Sequence, residues 1–435
     1  MSQILLQAVR LIDPFNGVDL EECDLLLEDG VLEKVGAGLK LPKGATAVRR
    51  EGSVVAPSFL DLHCHLREPG QPWKERIARA TAAAAAGGFG AVCAMANLTP
   101  PVDTVERLRR IQRHNKTWGR VPVLQFAACT KDLEGGELAN LEALARAGAV
   151  GFSDDGRHGM SEDRLAEALR RAAELELVVA IHPEDEALLM LANRSSRDPS
   201  QWRVRPPGAE LSAIEKAISA LRDSPGARLH LQHVSTAGGV DLVRRAKQEG
   251  LPLTAEVTPH HLMLTGASGD AGPADPARCN PPLRTEADRM ALWEALLEGT
   301  IDAIASDHAP HEAAPPSERS PGFSGIQLVL SAVLGQGGAL SHLSRVVETL
   351  TAGPRRVLGP AGAGAPGDGI RSGEAASLTW FDPNQSWTPS PQSWLSLGTN
   401  TPFWGEPLKG TVLATFAGGR MVHLNRELVP ELDGD

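Results

Sequence analysis

The stretch APSFLDLHCHLREPG, Ala56 to Gly70, decides how the rest of the chain is read. Taken as a strand, FLDLHCHLR alternates faces with a period of two. Asp61, His63, His65 and Arg67 then share one side, and Leu60, Leu62, Cys64 and Leu66 the other. Two imidazoles two residues apart near a strand end leave the backbone in the same direction and can grip one cation together. A bare His-x-His is a weak signal, because so short a pattern recurs by accident. The flanking acid, the arginine two residues on and the apolar lead-in favour a metal site over a chance pair of core histidines.

Downstream, apolar runs at Gly90–Ala96, Val121–Ala128, Ala149–Ser153, Leu177–His182, Arg228–His233, Leu251–Val257 and Asp302–Asp307 join Phe59–His65 as strand candidates. Segments with helical spacing separate them, among them KERIARATAAAAAGG and SEDRLAEALRRAAELE, and several end in glycine as helix C-termini tend to. Strand and helix in eightfold alternation predict an α/β fold, a (β/α)8 TIM-type barrel. A doubly wound open sheet competes, but no Gly-x-Gly-x-x-Gly opens a helix after a strand. The two ends read differently. QILLQAVRLID, DLLLEDGVLEKVG with its Asp29–Gly30 turn, ASLTWFDP and GTVLATFAGGRMVHLN are β-rich. They predict a small composite β-sandwich domain from residues 1–55 and 366–435, around a barrel at 56–365. The length of 435 residues suits a barrel of roughly 250 residues plus such a unit. Residues 311–325, rich in proline and serine, predict a loop.

Composition narrows the function classes. No apolar run reaches the ~20 residues of a membrane span, and MSQILLQAVRLIDP lacks the basic start and small-residue cleavage site of an export signal. Five scattered cysteines without Cys-x-x-Cys point to reduced thiols in a cytoplasm. A net charge of −11 argues against a nucleic-acid partner. It also means that local cations must attract any anionic substrate.

The polar residues at the predicted strand ends carry the chemistry. His63 and His65 end the first strand, Asn97 follows the second, and Asp154–Asp155 follow the fourth. His182 ends the fifth, His233 the sixth and Asp307 the eighth, while Asn280 lies after the seventh. Strand C-termini of such barrels converge on the mouth where active sites form. Four imidazoles and two carboxylates suit zinc, one or two ions with two favoured, and need no thiolate. Asp307 would carry a proton from an activated water to a leaving nitrogen. Arg67 and Asn97 read as anion and hydrogen-bond anchors.

DLHCHLREPG, GFSDDG, IHPED, LQHVST, EVTPHHL, NPPLR and SDHAPH, met in that order, resemble the bacterial type I dihydroorotases of the amidohydrolase superfamily. The resemblance spans essentially the whole chain. It implies reversible cyclisation of N-carbamoyl-L-aspartate to L-dihydroorotate in de novo pyrimidine synthesis. It places His63, His65 and Asp307 on one zinc, His182 and His233 on a second, and Asp155 between them. Arg67, Asn97, Asn280 and His311 would contact substrate, backbone at Pro321 and Gly322 would close over it, and Asp307 would be the catalytic acid and base. Aspartate transcarbamoylase and further copies of the chain are the partners that it admits. The chain departs from the family pattern at Met95-Ala96-Asn97-Leu98, where Met-Pro-Asn-Thr is usual, and at Pro183 after His182. Hydantoinases and allantoinases bridge their metals with a carboxylated lysine. Here Asp154 and Asp155 stand after the fourth strand, which favours the dihydroorotase group over those cousins. The other class of alternative is a non-catalytic scaffold for a transcarbamoylase; degenerate relatives of that kind lose metal ligands. His260 and His261 read as stabilisers of the loop after the seventh strand, His308 as a hydrogen-bonding group behind Asp307, and Cys64, Trp73 and Trp202 as packing residues.

Overall fold

The computed structural model describes residues 3–156, 159–194, 204–266, 278–312 and 320–433. The chain opens with β1 (Gln3–Asp13), β2 (Val18–Glu28), β3 (Val31–Gly36), β4 (Thr46–Arg49) and β5 (Val54–Pro57). After these, β6 (Phe59–Cys64), β7 (Phe89–Ala94), β8 (Val123–Gln125), β9 (Gly151–Ser153), β10 (Val178–Ile181), β11 (Arg228–Leu231), β12 (Leu253–Val257) and β13 (Ala303–Ile304) alternate with helices. Last come β14 (Glu374–Ala375), β15 (Leu378–Trp387), β16 (Leu408–Ala417) and β17 (Arg420–Leu424). Among the described residues no single helix is long and apolar enough to cross a membrane.

The strands of the β-sandwich domain follow one hydrogen-bonded path, β14-β3-β2-β1-β5-β15-β16-β17, with β4 added on β1. β5 joins the two chain ends, lying parallel to β1 and antiparallel to β15, with Val55 opposite Trp380. Leu6, Leu25, Leu378, Trp380, Leu413 and Phe416 form the separate core of this domain. Trp380 is fully buried, and its indole N–H donates to Ser53 Oγ at 2.9 Å, so its polar atom is satisfied inside that core. Only Ser58 separates β5 from β6, so the sandwich delivers the chain directly into the barrel.

The barrel strands are all parallel and fall into two ladders, β6-β7-β8 and β9 to β13. Ala127, just beyond β8, bonds across to β9: its N–H donates to Gly151 and its carbonyl accepts from Ser153. At the other seam His65 N–H donates to His308 carbonyl at 2.8 Å, which ties β6 to the segment following β13. The cylinder is thereby closed without an open edge. Helices cover it because their apolar residues recur on one face. In Glu162–Glu174, for instance, Leu165, Ala168, Leu169 and Ala172 are buried, and Ser161 Oγ caps the first turn on Arg164 N–H. Cys64, Val92, Phe152, Val179, Leu229 and Val257 pack outward against the helices, and Cys64 is core as expected. Leu60, Leu62, Ala91, Cys93, Ala180 and Ala303 fill the lower interior.

Strict alternation along the first barrel strand does not survive. The pairing of β6 with β7 slips between Asp61 and Cys64, so Leu60 and Leu62 face inward and His63 and His65 still follow them there. Asp61, expected beside His63, instead accepts the Ser306 N–H at 2.8 Å and the Ser306 hydroxyl at 2.6 Å. Burial raises its carboxyl to about 7. Trp73, expected to pack, is 59% exposed, and Trp202 lies outside the described residues. Gly353, in the helix Ala352–Leu358, abuts the carbonyl of Asp302 just before β13, where an added Cβ would lie 2.1 Å from that oxygen. Gly353→Ala is expected to destabilise the fold by about 1–3 kcal/mol, read as an earlier midpoint in chemical denaturation. An unchanged midpoint would show that the helix can back away freely.

Candidate metal centre

Every strand-end imidazole and carboxylate named as a ligand from sequence meets at the barrel mouth, and all are buried. Asp155 is central. Its Oδ1 lies 3.5 Å from His63 Nε2, 3.7 Å from His182 Nδ1 and 3.8 Å from His233 Nε2, and its Oδ2 lies 3.5 Å from His65 Nε2. Asp307 Oδ1 lies 3.2 Å from His65 Nε2 and 3.5 Å from His63 Nε2. Backbone geometry makes this convergence possible. His233, Asp307 and Arg67 have φ of 33°, 41° and 59°, a left-handed region that costs a side-chain-bearing residue of order 1–3 kcal/mol. The turn at His233 lets two consecutive residues, Gln232 and His233, both reach the interior, against strand alternation.

The second nitrogen of three imidazoles is held from behind. His63 Nδ1 contacts Glu256 Oε1 at 2.7 Å, His182 Nε2 contacts Glu184 Oε2 at 2.7 Å, and His65 Nδ1 contacts Asn97 Oδ1 at 2.9 Å. Glu184 in turn pairs with Arg205. Such partners fix ring orientation and tautomer. Asn97 also donates to Asp155 Oδ2 at 3.2 Å, so the amide expected to touch substrate is engaged with two members of the cluster. Spacing alone did not separate Asp154 from Asp155, but the structure does. Asp154 accepts from the Cys129 N–H at 2.8 Å, the Thr130 N–H at 3.1 Å and the Thr130 hydroxyl, and ties β9 to the loop after β8.

Electrostatics mark the cluster as a place for positive charge. Burial opposes charge on His63, yet Asp155, Asp307 and Glu256 hold its pKa well above the usual histidine value. Burial would likewise raise the Asp155 carboxyl, but His63, with the nitrogens of His182 and His233, holds it well below the carboxylate range. The residues also pass a chemical fit test. His63 Nε2 and His233 Nδ1 are buried with no hydrogen-bond partner among the described residues. Ion–ligand bonds of about 2.0–2.2 Å put neighbouring donors roughly 3–3.5 Å apart, close to the spacing seen here. His63, His65 and Asp307 form one triplet of donors within 4.8 Å of one another, and His63, Asp155 and His233 another. His260, His261 and Cys279 also group, but His261 spends Nδ1 on Thr258 Oγ1 and Nε2 on the Pro281 carbonyl, which fits its expected loop role.

Beside the cluster, Arg67 Nε donates to the Pro310 carbonyl at 3.3 Å, and its terminal nitrogen lies 3.4 Å from His311 Nε2. His311 Nε2 faces the Pro321 carbonyl at 3.1 Å, while its buried Nδ1 has no partner among the described residues. Gly322 N–H donates to the Arg278 carbonyl, two residues before the half-buried Asn280. Asn400 holds this rim, donating to the Gly322 carbonyl at 2.7 Å and accepting from His311 N–H at 2.9 Å. Of the predicted loop, residues 313–319 lie outside the described residues. His308 sits behind Asp307 as expected, accepting at Nδ1 from Gly325 N–H and facing Glu75 with Nε2. Glu256, Glu184, Gln232 and Asn400 were missed as functional residues. For Glu256 a signal was present, an acid inside the otherwise apolar run Leu251–Val257.

The fold is shared with the L-hydantoinase (dihydropyrimidinase) of Arthrobacter aurescens, at a TM-score of 0.84 and 23% identity over 98% of this chain and 96% of that one. The dihydropyrimidinase of Brevibacillus agri gives 0.82 and 21%, over 98% and 95%. A (β/α)8 barrel with a β-sandwich and a histidine–aspartate cluster at its mouth defines a cyclic amidohydrolase, an enzyme of a metal-using class that acts on a small molecule. Residues 52–196 match the family described as Dihydro-orotase-like. The dihydroorotase of Anaeromyxobacter dehalogenans strain 2CP-1 is 39% identical over 435 residues, spanning 97% of this chain and 98% of its own. That of Aquifex aeolicus is 34% identical over 441 residues, 97% and 100%, and that of Thermus aquaticus 39% over 438, 97% and 99%. The chain belongs to the dihydroorotase family.

Asp155→Asn is expected to lower divalent metal affinity by at least roughly tenfold. Asp154→Asn is expected to leave the metal in place and lower the melting temperature, because two buried N–H donors lose a charged acceptor. Metal analysis after dialysis, with thermal melts of both variants, checks the pair; equal metal loss would show that the two carboxylates share the role.

Proposed function

We propose that the chain interconverts N-carbamoyl-L-aspartate and L-dihydroorotate in de novo pyrimidine synthesis, with zinc held by His63, His65, Asp155, His182, His233 and Asp307, two ions favoured. The observation that supports this best is four buried imidazoles around one carboxylate, beside an arginine whose hydrogen-bond contacts are a carbonyl and a histidine. The names of the full-length relatives support the substrate. No lysine follows β9 directly, and Asp155 stands there among the four imidazoles, which speaks against a hydantoinase-type centre.

When bound, zinc supplies Lewis acidity, polarising a ring carbonyl and bringing the pKa of a water to about 7. Asp307 lies within 3.2 Å of a ligand nitrogen, so its carboxylate is placed to move a proton at the same centre. In hydrolysis it takes the proton of the attacking water and gives it to the ring nitrogen as the amide bond breaks. In cyclisation it takes the proton of the ureido nitrogen and returns it to the oxygen that leaves as water. Arg67 holds the carboxylate that both substrates keep: burial lowers its pKa only to about 10, so it stays charged at neutral pH. Burial and the nearby Arg67 bring His311 down to about 2, so it presents a neutral ring with Nδ1 available to substrate. Asn97, Asn280 and the backbone of Pro321 and Gly322 complete the pocket wall.

We assign residues 1–55 and 366–435 to the sandwich and 56–365 to the barrel, since the terminal strands share their own core. A cytoplasmic setting fits the buried, unpaired thiols of Cys23, Cys64, Cys93 and Cys129. Aspartate transcarbamoylase and further copies of the chain stand as protein partners.

The deciding experiment compares turnover of dihydroorotate and carbamoyl aspartate with that of hydantoins and allantoin. An enzyme inert toward dihydroorotate but active on a hydantoin overturns the substrate assignment. Asp307→Asn is expected to reduce turnover by about 10²-fold or more with zinc content retained; a loss of only a few-fold would place the proton on another group. Arg67→Ala is expected chiefly to raise KM, and an unchanged KM removes it from the anion pocket.

A further inference from the structure

We infer that Glu256 is a positioning residue of the metal centre, which from inside the barrel fixes His63 with its Nε2 bare and toward the ions. This rests on the metal reading above. Glu256 lies on β12, fully buried, and its two oxygens are divided between two imidazoles. Oε1 is 2.7 Å from His63 Nδ1 and Oε2 is 3.0 Å from His230 Nε2, whose other nitrogen lies 2.9 Å from Thr254 Oγ1. A carboxylate only accepts, so both facing nitrogens carry hydrogen: His63 Nδ1–H donates upward to Glu256 and His230 Nε2–H donates from below. Gln232 Nε2 also approaches His63 Nδ1, at 3.2 Å. An amide N–H cannot donate to a ring nitrogen that already bears a proton, and the shorter contact to an anion takes precedence. One assignment therefore satisfies the chain Thr254–His230–Glu256–His63 and leaves Nε2 as the His63 nitrogen that faces Asp155 and Asp307 and is open to an ion.

His182 and His65 are held by the same logic, but with a different charge. Glu184 behind His182 is matched by Arg205, and Asn97 behind His65 is neutral. The Glu256 carboxylate has only imidazoles as hydrogen-bond and ion-pair partners among the described residues. Its negative charge is thus added to the cluster from beneath, in a dry interior where charge acts strongly.

The test is Glu256→Gln, whose amide cannot accept from both rings, so one of them must change its tautomer. Zinc affinity, measured by competition with a chromogenic chelator, is expected to fall roughly 10–100-fold, with the melting of metal-free protein close to wild type. Long-range ¹⁵N NMR of the metal-free protein, at a pH high enough that the His63 ring is neutral, is expected to show hydrogen on His63 Nδ1 in the wild type and a mixture in the variant. Should Glu256→Gln fail to fold, His230→Asn removes only the far anchor of the carboxylate and is expected to weaken zinc by more than about threefold. Affinity within that margin in whichever variant folds, or an unaltered His63 tautomer in Glu256→Gln, overturns the proposal. Wild-type protein that binds no zinc overturns the metal reading instead.

Discussion

A buried carboxylate surrounded by four imidazoles is the arrangement on which the rest of this structure depends. Removing Asp155 from water is costly unless opposite charge and hydrogen-bond donors surround it. The barrel meets that condition by drawing His63 from β6 and His65 from just beyond it, His182 from just after β10 and His233 from just after β11. No short piece of chain could do this, because the donors are spread from residue 63 to residue 233. The same condition explains why the cluster suits a divalent cation: crowded nitrogen and oxygen donors, two of the nitrogens without a hydrogen-bond partner among the described residues, leave room for positive charge.

Precision at the mouth comes from backbone and buried hydrogen bonds far from the reacting atoms. Asp307 adopts a left-handed conformation, and its neighbour Ser306 is fastened to Asp61 by both N–H and hydroxyl. His308 closes the barrel through its carbonyl and ties its ring to Glu75. Glu75 then accepts from the Leu397 N–H and the Ser396 hydroxyl in the C-terminal part of the chain. Asn400 reaches the rim from the same region. The segment before β16 therefore braces the barrel mouth.

Fold and family carry different weight. The hydantoinase and dihydropyrimidinase structures share the architecture at about one residue in five. A fold shared at that level hosts several ring-opening chemistries, so the substrate must be argued from the site. The dihydroorotase relatives match nearly end to end, and Asp155 after β9 stands in the cluster itself. The side chains behind the histidines, Glu256 above all, show how much of the centre lies outside the ligand set.

The barrel and the residues that cluster at its mouth were legible in sequence because each depends on a local pattern: apolar runs of strand length, helical spacing between them, and polar residues at the strand ends. The turn at Asp29–Gly30 and the β-rich ends were legible for the same reason. Alternation then failed at Asp61, where a one-residue slip against β7 sends the acid to Ser306, and at His233, where a left-handed φ turns consecutive side chains inward. Neither follows from residue types, since both are set by the neighbouring strand. The roles of Asp154, Asn97 and Glu256 were decided only in three dimensions. Which atoms a buried carboxylate or amide meets depends on strands brought together by closure of the cylinder, and that closure is a property of the whole chain.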